Sequence, residues 1–115
     1  TDMGGHINNT AIAAYVESGR VARLRTAMEQ RSGGERWVIA HVDIDFRAEG
    51  RPPGQARIGT RLIRLGTKSV TLGAGIFMED RCLATAHSTM VFLNGPNTAV
   101  IPDAVRQSLA ASPKD

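Results

Sequence analysis

Residues 10–31 read TAIAAYVESGRVARLRTAMEQR, and the fold turns on them. No proline interrupts the stretch, and Gly19 is the single break in a run of helix formers. Ile12, Tyr15, Val16 and Gly19 recur at i, i+3, i+4 and i+7, the spacing of one helix face. Ala22 and Ala27 extend that face, while the charges of Arg20, Arg23, Arg25 and Glu29 gather in the C-terminal half. Asn8, Asn9 and Thr10 are residue types that cap a helix start. Ser32-Gly33-Gly34 ends the helix, since glycine takes the left-handed C-cap conformation at little cost.

Downstream the apolar period changes from 3.6 to two. Val38, Ala40, Val42, Ile44 and Phe46 alternate with Ile39, His41, Asp43, Asp45 and Arg47, which predicts a half-buried strand over 36–48. Arg51-Pro52-Pro53-Gly54 is a turn. Strands follow at 56–65, 69–78 and 82–93, the first two joined by Gly66-Thr67-Lys68 and the last two by Asp80-Arg81. Asn94-Gly95-Pro96-Asn97 is a loop, and Pro102 starts a short helix with Ala104, Val105 and Leu109 as its apolar side. Antiparallel strands joined by short turns form one sheet, and the 22-residue helix is the element large enough to cover it. The expectation is an α+β domain spanning 1–115, an antiparallel sheet wrapped around one long central helix.

Composition narrows the function. The chain has 115 residues, 42% hydrophobic and 22% charged, the balance of a globular domain. Its longest apolar runs fall far short of the ~20 residues of a membrane span. The net charge is +3, with basic residues scattered and few aromatics, unlike a nucleic-acid surface. Cys82 is the single cysteine, which suits a reducing, cytoplasmic setting and reads as a small core residue. The start carries no signal-peptide pattern.

Chemistry concentrates in Asp2-Met3-Gly4-Gly5-His6-Ile7-Asn8-Asn9, directly ahead of the helix. Unpaired N–H groups and the dipole make a helix start partly positive. A carbonyl placed there is polarised, Gly5 lets a ligand approach the backbone, and Asp2 can attack it or activate water. Helix capping by Asp2 and the asparagines explains the same residues. His41 and His87 read as exposed or structural, with no partner at metal-ligand spacing. Asp43 and Asp45 share a strand face, a carboxylate pair or simply a solvated or interface-facing surface. Glu17 and Arg20 stand i, i+3 on the helix and can pair.

Asp-x-x-Gly-His-Ile-Asn-Asn with Tyr15, Glu17 and Arg20 on the following helix resembles the hotdog-fold acyl-CoA thioesterases of the 4-hydroxybenzoyl-CoA thioesterase type. Val42–Arg47, Pro53-Gly54, Leu65–Val70, Ala84-Thr85-Ala86, Val91-Phe92-Leu93 and Ile101-Pro102 continue the resemblance along nearly the whole chain. Two departures stand out. Gly4 sits where the family often has a larger residue, and the family has a strand ahead of the aspartate, so upstream residues are expected.

The resemblance implies a hotdog fold paired into homodimers or homotetramers, with sites between subunits. It implies Asp2 as the catalytic carboxylate, the amide near Asn9 as the group polarising the thioester carbonyl, and His6 and Asn8 as shaping residues. It leaves Glu17 a role at the site edge. The nucleotide phosphates of coenzyme A would meet surface Arg or Lys, with Lys68, beside Ser69, as the candidate, although a solvated lysine is the plainer reading. The activity implied is hydrolysis of acyl-CoA, the thioester being substrate and no metal or cofactor being needed. The alternatives are acyl carrier protein thioesters as substrate and a non-catalytic acyl-binding module. Exposed sheet edges, with Ile39, Phe77, Val91 and Leu93 on surfaces one helix leaves open, predict a homodimer with a continuous sheet.

Overall fold

The computed structural model describes residues 9–28, 33–48 and 55–111. Seven elements follow in order: α1 (Asn9–Ala27), β1 (Glu35–Phe46), β2 (Ala56–Leu65), β3 (Ser69–Met78), β4 (Arg81–Asn94), β5 (Asn97–Thr98) and α2 (Asp103–Ala111). The sheet is antiparallel in the order β1-β4-β3-β2, with β5 paired to the end of β4. The four long strands lie within two residues of their expected bounds. Gly66 N–H donates to Ser69 O at 2.8 Å, closing the expected β2–β3 hairpin.

Four local expectations need correction. The β3–β4 turn is Glu79-Asp80, with Glu79 at φ 55, and Arg81 already belongs to β4. The loop after β4 is shorter than expected, because Asn97 pairs back on Asn94. The alternation along β1 is broken, since a register shift between Ile39 and His41 makes Ala40 an extra residue. Val38 therefore lies on the opposite face from Val42 and Ile44. Cys82 is half-buried, its thiol donating to Ala84 O at 3.5 Å, rather than a core residue.

The sheet is covered not by one long central helix of 22 residues but by the 19-residue α1 together with the short helix expected after Pro102, the nine-residue α2, both on one side. The core divides accordingly. Ile12 and Val16, from the first half of α1, pack with Ile76, Met78, Leu83, Ala84 and Ala86. Leu24 and Ala27, from its second half, pack with Val70, Leu72, Met90 and Phe92 and with Val105 and Leu109 of α2. The physical reason is bulk: past Gly19 the sheet-facing side of α1 supplies only Leu24 and Ala27 as apolar groups, so α2 fills the remainder. Ala22 is exposed and does not extend the buried face.

Gly19 is where α1 comes closest to β2. A Cβ there would lie 2.8 Å from Thr60 Cγ2 and 2.9 Å from Ile58 Cγ2. Next to it Arg20, a residue type expected on the solvated side, is buried, and its Nη1 donates to Ser88 Oγ at 3.3 Å. Arg23 Nη1 donates to Thr60 O at 2.9 Å. These arginines form a polar layer between the two apolar clusters.

Candidate functional site

The helix start is the centre of the expected site. α1 is described from Asn9, and its first described turn carries no acidic side chain. The first four N–H groups of a helix lack intrahelical acceptors, and here no carboxylate of the turn offsets the positive end of the dipole. Asp2, Gly5, His6 and Asn8 lie outside the described residues, as does the side chain of Asn9.

Glu17 stands two turns farther along α1, about 12 Å from the helix start by the rise per residue. Its Oε2 lies 4.0 Å from Arg20 Nη2, with the Glu17 side chain 67% exposed. Lys68 and Ser69 lie at the other end of the domain, in the β2–β3 hairpin. There Lys68 O accepts from Phe92 N–H at 2.9 Å, Ile101 N–H donates to Thr67 O, and Arg106 Nη2 donates to Gly66 O. This hairpin neighbours α2 and the C-terminal half of α1. The 19-residue length of α1 separates it from Asn9 by about 27 Å within one protomer. Glu17, Lys68 and the helix start are thus three separate places.

The structure brings together another set that the sequence scattered. Asp43, on β1, is paired with His87 on β4. His87 Nδ1 lies 3.2 Å from Asp43 Oδ1, and His41 Nε2 lies 3.2 Å from Asp43 Oδ2. The hydrogen bond with His87, and secondarily that with His41, holds the Asp43 carboxyl below its ordinary range. All three are exposed and lie on the face of the sheet that bears no helix. Among the described residues no group of three His, Cys, Asp or Glu is placed to hold a metal ion.

That helix-free face also carries a shallow cavity of about 400 Å³. Gly59, Gly73 and Gly75 floor it, and Ile63, Phe77 and His87 are among its walls. The glycines allow neighbouring side chains to lie flat on the strands: a Cβ on Gly73 would be 3.0 Å from Ile63 Cδ1, and one on Gly75 would be 2.7 Å from the Phe77 ring. Sequence reading missed this feature. The glycines in 73-GAG-75 were its only linear signal, and the Arg61 and His87 flanks come from strands adjacent only in the folded sheet.

On the other side of the sheet, Ile39, Val42 and Phe46 of edge strand β1 are 52%, 37% and 50% exposed. Phe77, Val91 and Leu93, also expected to lie open, are half-buried. Among the described residues no helix is long and apolar enough to cross a membrane.

Comparison with known proteins gives the following. The family profile described as thioesterase superfamily matches residues 4–85. No curated protein sequence matches. Among solved structures, a predicted thioesterase from Bacillus stearothermophilus is 28% identical, with a TM-score of 0.84, 96% of this chain and 85% of that chain being covered. A thioesterase from Thermus thermophilus, solved with coenzyme A and Zn, is 22% identical at a TM-score of 0.82, with 96% and 89% covered. A gentisyl-coenzyme A thioesterase is 20% identical at 0.79, with 95% and 90% covered. The α+β architecture, an antiparallel sheet with its helices on one side, is shared with these hotdog-fold proteins.

Proposed function

The chain belongs to the thioesterase superfamily, whose chemistry is thioester hydrolysis, and from that premise we propose that its substrate is an acyl thioester of coenzyme A, cleaved with Asp2 as the reactive carboxylate. One observation carries the placement of the chemistry. α1, described from Asn9 onward, follows the Asp2–Asn8 segment in the chain, and its first described turn is free of acidic side chains. A thioester carbonyl seated at that end meets the backbone N–H groups, Asn9 the first, and negative charge developing on its oxygen is stabilised. Asp2 then takes the proton of a water that adds to the carbonyl carbon, or adds itself and is released by water. Either way the C–S bond breaks, and the acid and the thiol of coenzyme A leave. Gly5, His6 and Asn8 shape the site. Water and the carboxylate suffice, so hydrolysis persists in excess chelator.

A lysine about 27 Å from the helix start serves this reaction across a subunit boundary, the phosphates meeting Lys68 and Ser69 of one protomer while the thioester sits at α1 of another. The exposed β1 residues Ile39, Val42 and Phe46 support pairing of two β1 edges into one continuous sheet. The site would form between those protomers, with Glu17 at its margin, and the enzyme would work in the cytoplasm.

Asp2→Asn is the test. It keeps the size and loses the charge, so kcat for acyl-CoA falls by about two orders of magnitude or more while the fold and substrate binding persist. Near-normal turnover would leave Asp2 as a helix cap only. Thiol release from acyl carrier protein but not from coenzyme A would move the substrate to the carrier, and release from neither would leave an acyl-binding module.

A further inference from the structure

The pairing register sets Asp43 of β1, His87 of β4, Gly73 of β3 and Arg61 of β2 abreast in one row on the helix-free face. The row beside it reads Asp45, Thr85, Gly75 and Gly59. Glycines on two neighbouring strands thus give the cavity of about 400 Å³ a level floor, and its volume is that of a small-molecule site. The ends of this trough are apolar. The Phe77 ring closes one end, where a Cβ on Gly75 would lie 2.7 Å from it. Ile63 closes the other. A register shift between Leu62 and Arg64 makes Ile63 an extra residue of β2, and its Cδ1 lies 3.0 Å from where a Cβ on Gly73 would sit.

The sides of the trough are cationic. Arg61 stands on the β2 side, exposed, and makes no hydrogen bond or ion pair among the described residues. Arg47 stands on the opposite side, where its Nε donates to Thr85 Oγ1 at 3.1 Å. Arg57 lies over the Phe77 ring, 5.5 Å from its centroid. Among the described residues no carboxylate lines the cavity. Asp43, in the same row as Arg61, is engaged by His87 Nδ1 and His41 Nε2 at 3.2 Å each. The trough therefore combines a flat apolar floor with positive charge that no neighbouring acid neutralises.

We propose that this trough binds a small aromatic carboxylate, a planar acid of one or two rings, with its ring on the glycine floor between Ile63 and Phe77 and its carboxylate on Arg61. Backbone without side chains gives a ring contact over one whole face, and Phe77 adds an aromatic neighbour at its end. An aryl carboxylate lies in the plane of its ring, and the guanidinium fork meets it there with two parallel hydrogen bonds. A tetrahedral anion would drive one oxygen against the floor, and a puckered ring would lose half of its contact. The site is built without the helix start, because α1 packs against the other face of the sheet.

Calorimetric titration of the full chain with 2-naphthoate at low salt tests it. One equivalent binds per chain, with a Kd of about 0.1–1 mM, as befits a charge pair open to water. Cyclohexanecarboxylate keeps the charge without the flat ring, and phenyl phosphate keeps the ring with a tetrahedral anion; each binds at least about tenfold more weakly. Arg61→Gln weakens 2-naphthoate by about tenfold or more, and Arg61→Lys does not restore it. Gly73→Val fills the floor and abolishes binding, with circular dichroism checking the fold. Arg36→Gln, whose side chain reaches Gly95 O at the other end of β1, is the control and leaves Kd unchanged. So does Asp2→Asn, which separates the trough from the helix start. No saturable heat up to about 10 mM overturns the proposal. A wild-type Kd in folded Arg61→Gln or Gly73→Val overturns it as well, as does phenyl phosphate or cyclohexanecarboxylate binding as tightly as 2-naphthoate. Loss of binding in Asp2→Asn would place the acid at the helix start and overturn it equally.

Discussion

The two faces of this sheet are built from the same strands and obey different rules. Toward the helices, β3 presents Val70, Leu72, Ile76 and Met78, all buried. One residue along at each step, the same strand presents Ser69, Thr71, Gly73, Gly75 and Phe77 to the other side. On the helix side, volume decides which residue is tolerated. On the helix-free side, charge and the absence of side chains set the pattern. The lesson is that the apolar face fixes the fold, and the far face is free to carry charge and glycine.

The largest effect belongs to the centre of the apolar face. Phe92 is 1% exposed and meets Trp37 edge-on, with ring centroids 5.1 Å apart. Phe92→Ala lowers stability by about 3–5 kcal/mol in a urea titration, the cost of lost burial plus a cavity. A loss under about 1 kcal/mol would break the contrast between the faces.

The polar layer within that face sharpens it. Ser88→Ala takes away the hydroxyl that Arg20 uses and costs about 1–3 kcal/mol, whereas Arg20→Met fills similar space without a buried charge and leaves stability equal or higher. Thermal unfolding of both variants checks the asymmetry. Gly19→Leu forces α1 away from Thr60 and Ile58 and costs about 1–3 kcal/mol. An unchanged denaturation midpoint would show that the helix does not need that approach.

The smallest effect lies on the helix-free side and depends on pH. The Asp43 carboxyl is held below its ordinary value of 3.8 in the folded protein. Its contribution to stability is therefore present above that value and disappears as pH falls through the lower folded value. Asp43→Asn narrows the difference in Tm between pH 7 and strongly acid solution, with little change in fold at pH 7. An acid limb identical to that of the wild type would show that His41 and His87 give the carboxylate no net support.

The helix spacing of Ile12, Val16 and their neighbours and the period-two strands were legible along the chain, because both are local repeats of backbone geometry. So was the Gly66–Lys68 hairpin, which a few residues close by themselves. The motif from Asp2 to Asn9 pointed to chemistry at a helix start, and the match over residues 4–85 places the chain among the thioesterases. Neighbours across strands decided the rest. Ala40 is an extra residue only with respect to its partner strand, so the register shift that turns Val38 over leaves no mark in the alternation of β1 itself. Arg20 looks like a solvated charge until Ser88, 68 residues away, supplies its acceptor. α2 shares the core because the tertiary packing leaves it room beside Leu24 and Ala27. The row of Asp43, His87, Gly73 and Arg61 exists only once four strands are in register, since hydrogen bonding between strands, and not sequence distance, sets which residues stand abreast.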